Sequence, residues 1–318
     1  MTDGPAVELR DARRAFGAVR ALDGMSFDVR PGEMFGLVGP DGAGKTTALR
    51  ALLGLVRLDA GSARVLGAEI GRDRSRKAAV GYLSQRFTLY GDLTVDENLD
   101  FFGEIHRVAD LAARRARLLA FTRLERFRRW RADRLSGGMQ KKLALACTLV
   151  HMPRVLLLDE PTTGVDPISR RELWGLLSEL LLSGLSVLLS TPYLDEAERC
   201  GRVALVRAGR TLACDTPAAL RASRRASVVE VVCAPARRAR DLLAAEPRVA
   251  EVQLFGDRLH VVPRRRDDRL ADAVARLEGV TVSAVRTVEP SLEDVYIWRV
   301  AEEEAREAGA DDRARGHP

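Results

Sequence analysis

The sequence predicts an α/β fold in which one sheet of buried strands is interrupted by a helical segment and followed by a smaller α+β domain. Compact apolar runs, each bounded by turn or polar residues, occur at 34–39, 80–84, 155–158 and 186–190. Runs of this continuity are typical of strands covered on both faces of a sheet. The length of 318 residues, with 46% hydrophobic and 30% charged residues, suffices for one large domain and a smaller companion.

The first predicted domain covers residues 5–220 and contains a strand, a glycine-rich turn and a helix over 45–53. Between the second and third strand runs, the segment 94–148 is rich in helix formers and has no convincing strand pattern. We therefore expect a helical subdomain over about 90–148, inserted between strands of the same sheet.

The second predicted domain, over 225–300, alternates strand and helix patterns in a different order. Strand patterns occur at 227–232, 249–255, 258–262 and 279–285, and helical patterns occur at 236–245 and 266–278. The resulting order, βαββαβ, is that of a ferredoxin-like domain. The last residues, 301–318, are small, charged and aperiodic, so we expect a disordered tail.

Composition narrows the class of protein. The most apolar stretch, 173–189, is interrupted by Glu179, Ser183 and Gly184, so we expect no membrane-spanning helix. The first residues contain acids and no apolar block, unlike a secretory signal, and we expect a cytoplasmic protein. The four cysteines lack a C-x-x-C pair, which disfavours a zinc site or a disulfide framework. The net charge of +6 is spread among 45 acids and gives weak support for a nucleic-acid partner.

A phosphate-binding motif follows the first buried strand and opens a helix. Its residues are Gly39, Pro40, Asp41, Gly42, Ala43, Gly44, Lys45 and Thr46, with Thr47 next on the helix. This spacing fits G-x-x-x-x-G-K-[ST], in which glycines let backbone N–H groups turn toward phosphate oxygens and the helix N-terminus favours an anion. We predict a P-loop that binds a nucleotide, with Lys45 reaching the β- and γ-phosphates.

Two acids at the end of the strand run 155–158 are candidates for metal binding and catalysis. Thr46 would bind Mg²⁺ through its hydroxyl, and Asp159 would supply a second oxygen ligand. Adjacent residues at a strand end point in different directions, so Glu160 would address a water as general base. The alternative for Glu160 is a surface acid that caps the strand.

The segment Leu135–Met139 reads LSGGM and is followed by QKKLALA and then by VLLLDEPTTGVDP, which begins twenty residues after Leu135. This combination resembles the signature motif and neighbouring motifs of ABC ATPases, and the resemblance covers residues 5–215. It implies that Ser136, Gly137 and Gly138 face the nucleotide of another subunit, with ATP between two ATPase chains in a head-to-tail dimer.

The resemblance implies roles for three further residues. Gln85 is similar to the loop glutamine that senses Mg²⁺ and the attacking water, although a polar strand end is the alternative. Phe16 is similar to the aromatic residue that stacks on adenine, although a lone aromatic residue is more often part of a core. Asp166 is similar to the acid of the loop that links the two ATP sites.

The chain departs from the family pattern at Pro192, where the resemblance leads us to expect a histidine that contacts the γ-phosphate. Proline has no polar side-chain atom and no backbone N–H. We predict weak, Glu160-dependent ATPase activity, in a homodimer with two altered sites or in a heterodimer whose partner supplies the histidine. The alternative is a degenerate ATP-binding regulatory subunit with little turnover of its own.

The phrases LTVDENL, GVDP, YLDEAERC and PSLEDVYI resemble the ATPase subunits of bacterial drug, lipid and polysaccharide exporters. The resemblance implies a subunit that uses MgATP to power export by a separate ABC-type permease, on the cytoplasmic side of the membrane. The C-terminal domain would then be a dimerisation or regulatory module. No nucleic-acid partner is expected, because nucleic-acid branches of the superfamily carry two fused ATPase domains or a long coiled coil.

Overall fold

A computed structural model of the protein describes the backbone of residues 4–69, 78–85, 89–223, 228–265 and 270–315, and side chains of these residues up to 307. The chain divides into two compact units, Met1–Thr216 and Pro217–Pro318. The division falls slightly before the predicted domain end at 220. Part of the helix predicted at 266–278 and the last three residues of the predicted tail lie outside the described residues.

The first unit contains two sheets and six α-helices among its described residues. Its elements in chain order are β1 (Val7–Phe16), β2 (Val19–Val29), β3 (Met34–Val38), α1 (Lys45–Leu52), β4 (Ala60–Val65), β5 (Val80–Leu83), α2 (Val95–Ile105), α3 (Leu111–Thr122), α4 (Gly137–Leu149), β6 (Val155–Asp159), α5 (Pro167–Leu182), β7 (Ser186–Thr191), α6 (Leu194–Ala197), β8 (Arg202–Arg207) and β9 (Arg210–Asp215).

The larger sheet has the strand order β5-β6-β7-β3-β8-β9, parallel except for the antiparallel edge strand β9. The four predicted strand runs are β3, β5, β6 and β7, and every residue of β3, β6 and β7 is buried. Because these strands are parallel, their carboxyl ends lie at one edge of the sheet, where ligands bind in open α/β sheets. Thr191 and Asp159 end two of these strands there.

A second sheet, β2-β1-β4, is antiparallel and was absent from the sequence-based prediction. It packs with α1 and the larger sheet in one core cluster that includes Leu9, Met25, Phe35 and Leu49. Phe27 of β2 stacks on Phe35 of β3, with ring centroids 5.5 Å apart. The second sheet and α1 therefore cover the strand that leads into the P-loop.

The helical subdomain predicted between β5 and β6 is confirmed as α2, α3 and α4. Helix α2 begins at a capping box, in which Glu97 N donates to Thr94 Oγ1 at 3.2 Å and Thr94 N donates to Glu97 Oε2 at 2.7 Å. Buried Asn98 donates to the carbonyl of Tyr90 and accepts from its N–H, both at 3.0 Å. These bonds fix the chain that enters the subdomain.

The second unit confirms the ferredoxin-like pattern. Its elements are α7 (Pro217–Ser223), β10 (Val228–Ala234), α8 (Ala236–Ala244), β11 (Val249–Phe255), β12 (Arg258–Pro263), α9 (Ala271–Ala275), β13 (Thr281–Val288) and α10 (Leu292–Arg315). The sheet is antiparallel with the order β11-β12-β10-β13. Buried Val231, Leu243, Leu259 and Val261 belong to its core.

The prediction of a disordered tail at 301–318 is wrong for 301–315, where α10 continues to Arg315. The segment is rich in alanine, glutamate and arginine, which are strong helix formers even without an apolar stripe. Arg299 and Glu302 form an i, i+3 ion pair at 3.1 Å on the same helix. Within the described residues, no helix is long and apolar enough to cross a membrane.

Candidate functional site

The P-loop lies between the end of β3 and the start of α1, and its glycines are required by close approaches of backbone. A Cβ on Gly39 would lie 2.2 Å from the carbonyl oxygen of Val206, and one on Gly44 would lie 2.3 Å from that of Ala21. Gly42 and Gly44 also have φ values of 79° and 97°, which L side chains rarely adopt. The loop conformation therefore depends on glycine at these positions.

Lys45 begins α1 and folds back into the loop. Its Nζ donates to the carbonyl oxygens of Gly39 at 2.7 Å and Pro40 at 3.0 Å, and only 4% of the residue is exposed. Nζ also lies 3.4 Å from Glu160 Oε1. The loop thus encloses a buried ammonium group. Of the other loop positions, Asp41 is exposed, Ala43 is buried and Thr47 is half-buried in α1.

Asp159 is the last residue of β6 and is 1% exposed. Its Oδ1 accepts hydrogen bonds from Thr46 Oγ1 at 3.1 Å and from Ser190 Oγ at 2.6 Å, and Tyr82 OH donates to Oδ2 at 3.4 Å. Burial and the Asp159 charge raise the pKa of Tyr82. The structure therefore brings together Thr46 and Asp159, two of the three residues predicted to bind Mg²⁺, and adds Ser190 and Tyr82, which the sequence analysis missed. The third predicted residue, Gln85, instead donates to the Glu160 carboxylate at 2.9 Å.

The donor chemistry at this position fits Mg²⁺. The Thr46 hydroxyl and the Asp159 carboxylate are oxygen donors, which Mg²⁺ prefers over nitrogen or sulfur. No group of three or more His, Cys, Asp or Glu side chains suited to a metal is found in the described part of the chain. Mg²⁺ in nucleotide sites is commonly bound by as few as one or two carboxylates, with substrate phosphates and water as the other ligands.

Glu160 follows Asp159 but makes different contacts. Its Oε2 accepts from Gln85 Nε2 at 2.9 Å and from Thr163 Oγ1 at 3.3 Å, while Oε1 faces Lys45. Its backbone has φ 50°, which is uncommon for a non-glycine residue, and its N–H donates to Ser190 O at 3.1 Å. The carboxylates of the two adjacent acids thus have different partners, although both residues also contact Ser190.

Gln85 lies after β5 and is connected to the helical subdomain. Lys141 Nζ of α4 donates to the Gln85 carbonyl oxygen at 3.2 Å. Burial lowers the pKa of the Lys141 ammonium group. Residues 86–88, which follow Gln85, lie outside the described residues. Gln85 therefore contacts the Glu160 carboxylate through its side chain and Lys141 of α4 through its backbone carbonyl.

The signature segment forms the start of α4. Ser136 is the N-cap, and its Oγ accepts from Met139 N at 3.3 Å. Ser136 and Gly137 are exposed, whereas Gly138 is buried. Among the described residues, no hydrogen bond joins Ser136 or Gly137 to the cluster around Lys45 and Asp159. The exposed N-terminus of α4 is available to an anion from outside the chain.

Phe16 and Asp166 are both exposed. Phe16 ends β1 with 47% of its surface accessible, and the Arg14 guanidinium lies 4.7 Å above its ring centroid. Asp59 accepts from Arg14 at 2.8 Å and so anchors that guanidinium. Asp166 is the N-cap of α5 and accepts from the N–H groups of Ile168 and Ser169, both at 3.0 Å. Hydrogen bonds from Ser169 lower the pKa of Asp166.

Pro192 follows β7 at the edge where the site residues collect. Among the described histidines, His106 and His151 stack on each other with centroids 4.1 Å apart, and His151 Nε2 lies 3.2 Å from Val80 O. Val80 begins β5, at the opposite end of the strand from the site. His260 lies in the second unit. His106 and His151 therefore do not substitute for a side chain at Pro192, and His317 lies outside the described residues.

The family model described as ABC transporter matches residues 22–163. The chain is 42% identical over 275 residues to the probable multidrug ABC transporter ATP-binding protein YbhF of Escherichia coli, covering 85% of this chain and 47% of that protein. It therefore spans about half the length of that relative. It is 39% identical over 323 residues to the daunorubicin resistance ATP-binding protein DrrA2 of Streptomyces coeruleorubidus, covering 96% and 99%.

A third relative is the Nod factor export ATP-binding protein I of Paraburkholderia xenovorans, 43% identical over 262 residues, with 80% of this chain and 84% of that protein covered. A solved ATP-binding subunit of an ABC transporter has a TM-score of 0.62 and 29% identity, covering 69% of this chain and 92% of that chain. Coverage of this extent at such identities identifies the family. The chain belongs to the ABC transporter family of ATP-binding proteins, which are ATPases.

Proposed function

We propose that the chain binds and hydrolyses ATP to power export through a separate ABC-type permease. The observation that carries this proposal is the division of partners between two adjacent acids. Asp159 contacts Thr46 of the P-loop, and Glu160 contacts Lys45 and Gln85. A site that only bound nucleotide would have no need of a second buried carboxylate linked to a loop glutamine.

The proposed chemistry follows from these contacts. Lys45 would exchange the carbonyl oxygens of Gly39 and Pro40 for phosphate oxygens, which are stronger acceptors for an ammonium group. Thr46 and Asp159 would hold Mg²⁺, which supplies charge neutralisation at the phosphates. Glu160 would accept a proton from the attacking water, with Gln85 orienting that water.

The exposed signature segment supports a dimer. Ser136 and Gly137 present a helix N-terminus away from the P-loop cluster, so a second ATPase chain would be needed to bring such a surface to the nucleotide. The second chain is a copy of this one or a different ATPase subunit. A hydrolysis-deficient variant of this chain, mixed with MgATP, should trap the dimer, and the mass of the trapped complex distinguishes the two cases. A homodimer forms from this chain alone, whereas a heterodimer does not.

A surface of the helical subdomain supports contact with a membrane partner. Trp130 is 51% exposed and packs edge-on against Phe127, with centroids 5.1 Å apart. Arg126 and Arg129 beside it are exposed, and neither has an ion pair within the described residues. Exposed Trp and Arg are enriched where interfaces form. Arg126→Glu with Arg129→Glu should reduce copurification of the permease at low salt, whereas Arg237→Glu on α8 should not.

Pro192 favours a second candidate function, an ATP-binding regulatory subunit with little turnover. Both candidates require MgATP binding, and only the first requires turnover. Calorimetry with purified protein and MgATP should detect binding that Lys45→Ala abolishes, and phosphate release should exceed that of Glu160→Gln. If the protein binds MgATP but releases phosphate no faster than Glu160→Gln, the regulatory subunit is favoured. If it does not bind MgATP, both candidates are excluded.

A further inference from the structure

The first turn of α5 contacts the signature segment so closely that it dictates glycine there. A Cβ on Gly138 would lie 2.0 Å from Ser169 Oγ and 2.3 Å from Ser169 Cβ. Rotation of the Ser169 hydroxyl would relieve the first clash, but the second involves an atom fixed to the backbone of α5. Any side chain at position 138 would therefore displace α4 from α5.

Ser169 also connects this contact to Asp166. The Ser169 N–H donates to Asp166 Oδ1 at 3.0 Å, and Asp166 Oδ2 lies 3.5 Å from the position of a Gly138 Cβ. The signature glycine and the acid at the start of α5 thus contact the same residue, Gly138 through the Ser169 side chain and Asp166 through the Ser169 backbone N–H. Both Gly138 and Asp166 stand in segments that, under the proposed function, meet the partner chain.

The next residue, Arg170, connects the same turn to the segment after β7. Its Nε donates to Glu196 Oε1 at 2.8 Å, and its second terminal nitrogen donates to Asp195 at 2.8 Å. Glu196 has no exposed surface and also accepts from Thr162 Oγ1 and Thr191 Oγ1, both at 2.6 Å. A fully buried carboxylate with three donors holds its neighbours in one arrangement.

These contacts meet at two consecutive residues. Ser169 contacts the signature segment. Arg170 contacts Glu196, and Glu196 in turn accepts hydrogen bonds from Thr162 and Thr191. We propose that Ser169 and Arg170 are positioning residues that make the signature segment, Asp166 and the 191–196 segment move as one body within the chain. The effect on turnover rests on the proposed function, whereas the contacts themselves do not.

Such a body would link the nucleotide site of one chain to the nucleotide site of its partner. The 191–196 segment adjoins the chain's own acids, Asp159 and Glu160, whereas the signature segment would address the partner's nucleotide. If the start of α5 is a rigid junction, a displacement of the 191–196 segment would also displace the signature segment. Because proline at 192 has no polar side-chain atom to contact phosphate, the side-chain hydrogen bonds of Glu196 with Thr191 and Arg170 would carry the coupling.

The first test is a rescue series at positions 138 and 169. Gly138→Ala should reduce MgATP-dependent dimerisation and turnover about tenfold, the coupling typical of residues in contact. The MgATP affinity of the monomer should stay within about twofold, because the P-loop is untouched. Ser169→Gly should restore dimerisation in the Gly138→Ala background, since it removes both clashing atoms. Ser169→Ala is the matched control and should not restore it, because its Cβ remains.

The second test addresses Arg170. Arg170→Lys keeps the charge but cannot donate to Glu196 and Asp195 with a fixed fork. It should lower kcat severalfold with KM for MgATP unchanged, and Glu196→Gln should do the same. Arg171→Lys, at the exposed next position, is the control and should leave both constants unchanged. A fall confined to KM, or an equal effect of Arg171→Lys, would overturn the role of Arg170.

Unfolding measurements separate this proposal from the proposed function. The Gly138→Ala and Ser169→Gly cycle in denaturant tests the contact even if no turnover is found. A double variant no more stable than Gly138→Ala would refute the contact. If Ser169→Gly restores the stability of Gly138→Ala but not its MgATP-dependent dimerisation, the positioning role is overturned. If Gly138→Ala does not fold, a folded double variant supports the contact, and an unfolded one refutes it.

Discussion

Ser190 donates a 2.6 Å hydrogen bond to Asp159 Oδ1, joining the ends of β7 and β6. The same carboxylate oxygen accepts from Thr46 at 3.1 Å. Because Asp159 is buried, Ser190 fixes how its carboxylate faces the P-loop. Residues that orient a metal ligand are often almost as important as the ligand itself.

We expect Ser190→Ala to reduce the ATPase rate about tenfold at limiting Mg²⁺, and less at high Mg²⁺, because Asp159 loses its orienting donor. The measurement is a Mg²⁺ titration of phosphate release. Ser178→Ala, which removes a hydroxyl bonded within α5, is the control and should match the unchanged protein. An unchanged Mg²⁺ requirement in Ser190→Ala would contradict the role of Ser190.

Pro192→His should raise turnover severalfold. The substitution places a polar ring at the carboxyl edge of the sheet, beside Thr191 and close in sequence to the acids' partner Ser190. The MgATP affinity measured by calorimetry should change little, because the P-loop contacts of Lys45 are unaffected. Equal turnover in the two proteins would show that the missing imidazole does not limit hydrolysis in this chain.

The stability of the chain should depend on pH through His151. Burial, followed by the His106 charge, lowers the pKa of His151 to about 4, compared with about 6.5 when unfolded. The unfolded chain then binds more protons between these values, so stability is complete above about pH 6.5 and falls as the pH drops toward 4. His151→Gln should flatten the dependence of the melting temperature on pH in this window. An identical slope in both proteins would contradict this assignment.

Asp294 should be the main anchor of α10 in the second unit. It is 1% exposed and accepts from Ser291 N at 2.7 Å, from Ser291 Oγ at 2.7 Å and from His260 Nδ1 at 2.9 Å. Asp294→Ala should cost about 2 kcal/mol of unfolding free energy, because the helix start loses its cap and the partly buried donors of Ser291 and His260 lose their acceptor. Exposed Asp272→Ala should cost less than about 0.5 kcal/mol. Similar costs for the two would refute this account.

The sequence predicted the parts of the fold that depend on local pattern. Buried parallel strands are continuous apolar runs, and β3, β5, β6 and β7 were therefore visible. The antiparallel strands β1 and β2 were missed because they contain many charged residues, such as Arg13, whose pairing becomes apparent only in three dimensions. Strand β4, AGSARV, was missed because it has no apolar run. The sequence does not predict the α10 extension because a charged segment without apolar periodicity has the composition of a disordered one.

In the candidate site, too, only residues that belong to short local motifs could be predicted from the sequence. The P-loop motif and the adjacent acids Asp159 and Glu160 are encoded in short segments, so their positions could be predicted. Ser190 and Glu196 act through contacts with residues 31 and 34 positions away, and nothing in their local sequence indicates those partners. A polar residue at the end of a wholly buried strand is the signal that would have identified Ser190.

The most direct test is the steady-state ATPase rate of the purified chain compared with that of Glu160→Gln. Glutamine keeps the size of the side chain and its contact with Gln85 but cannot accept a proton from water. We predict that turnover falls at least about a hundredfold while MgATP binding is retained, the scale typical of a lost general base. Equal turnover in the two proteins would contradict the assignment of Glu160 as base and the mechanism built on it.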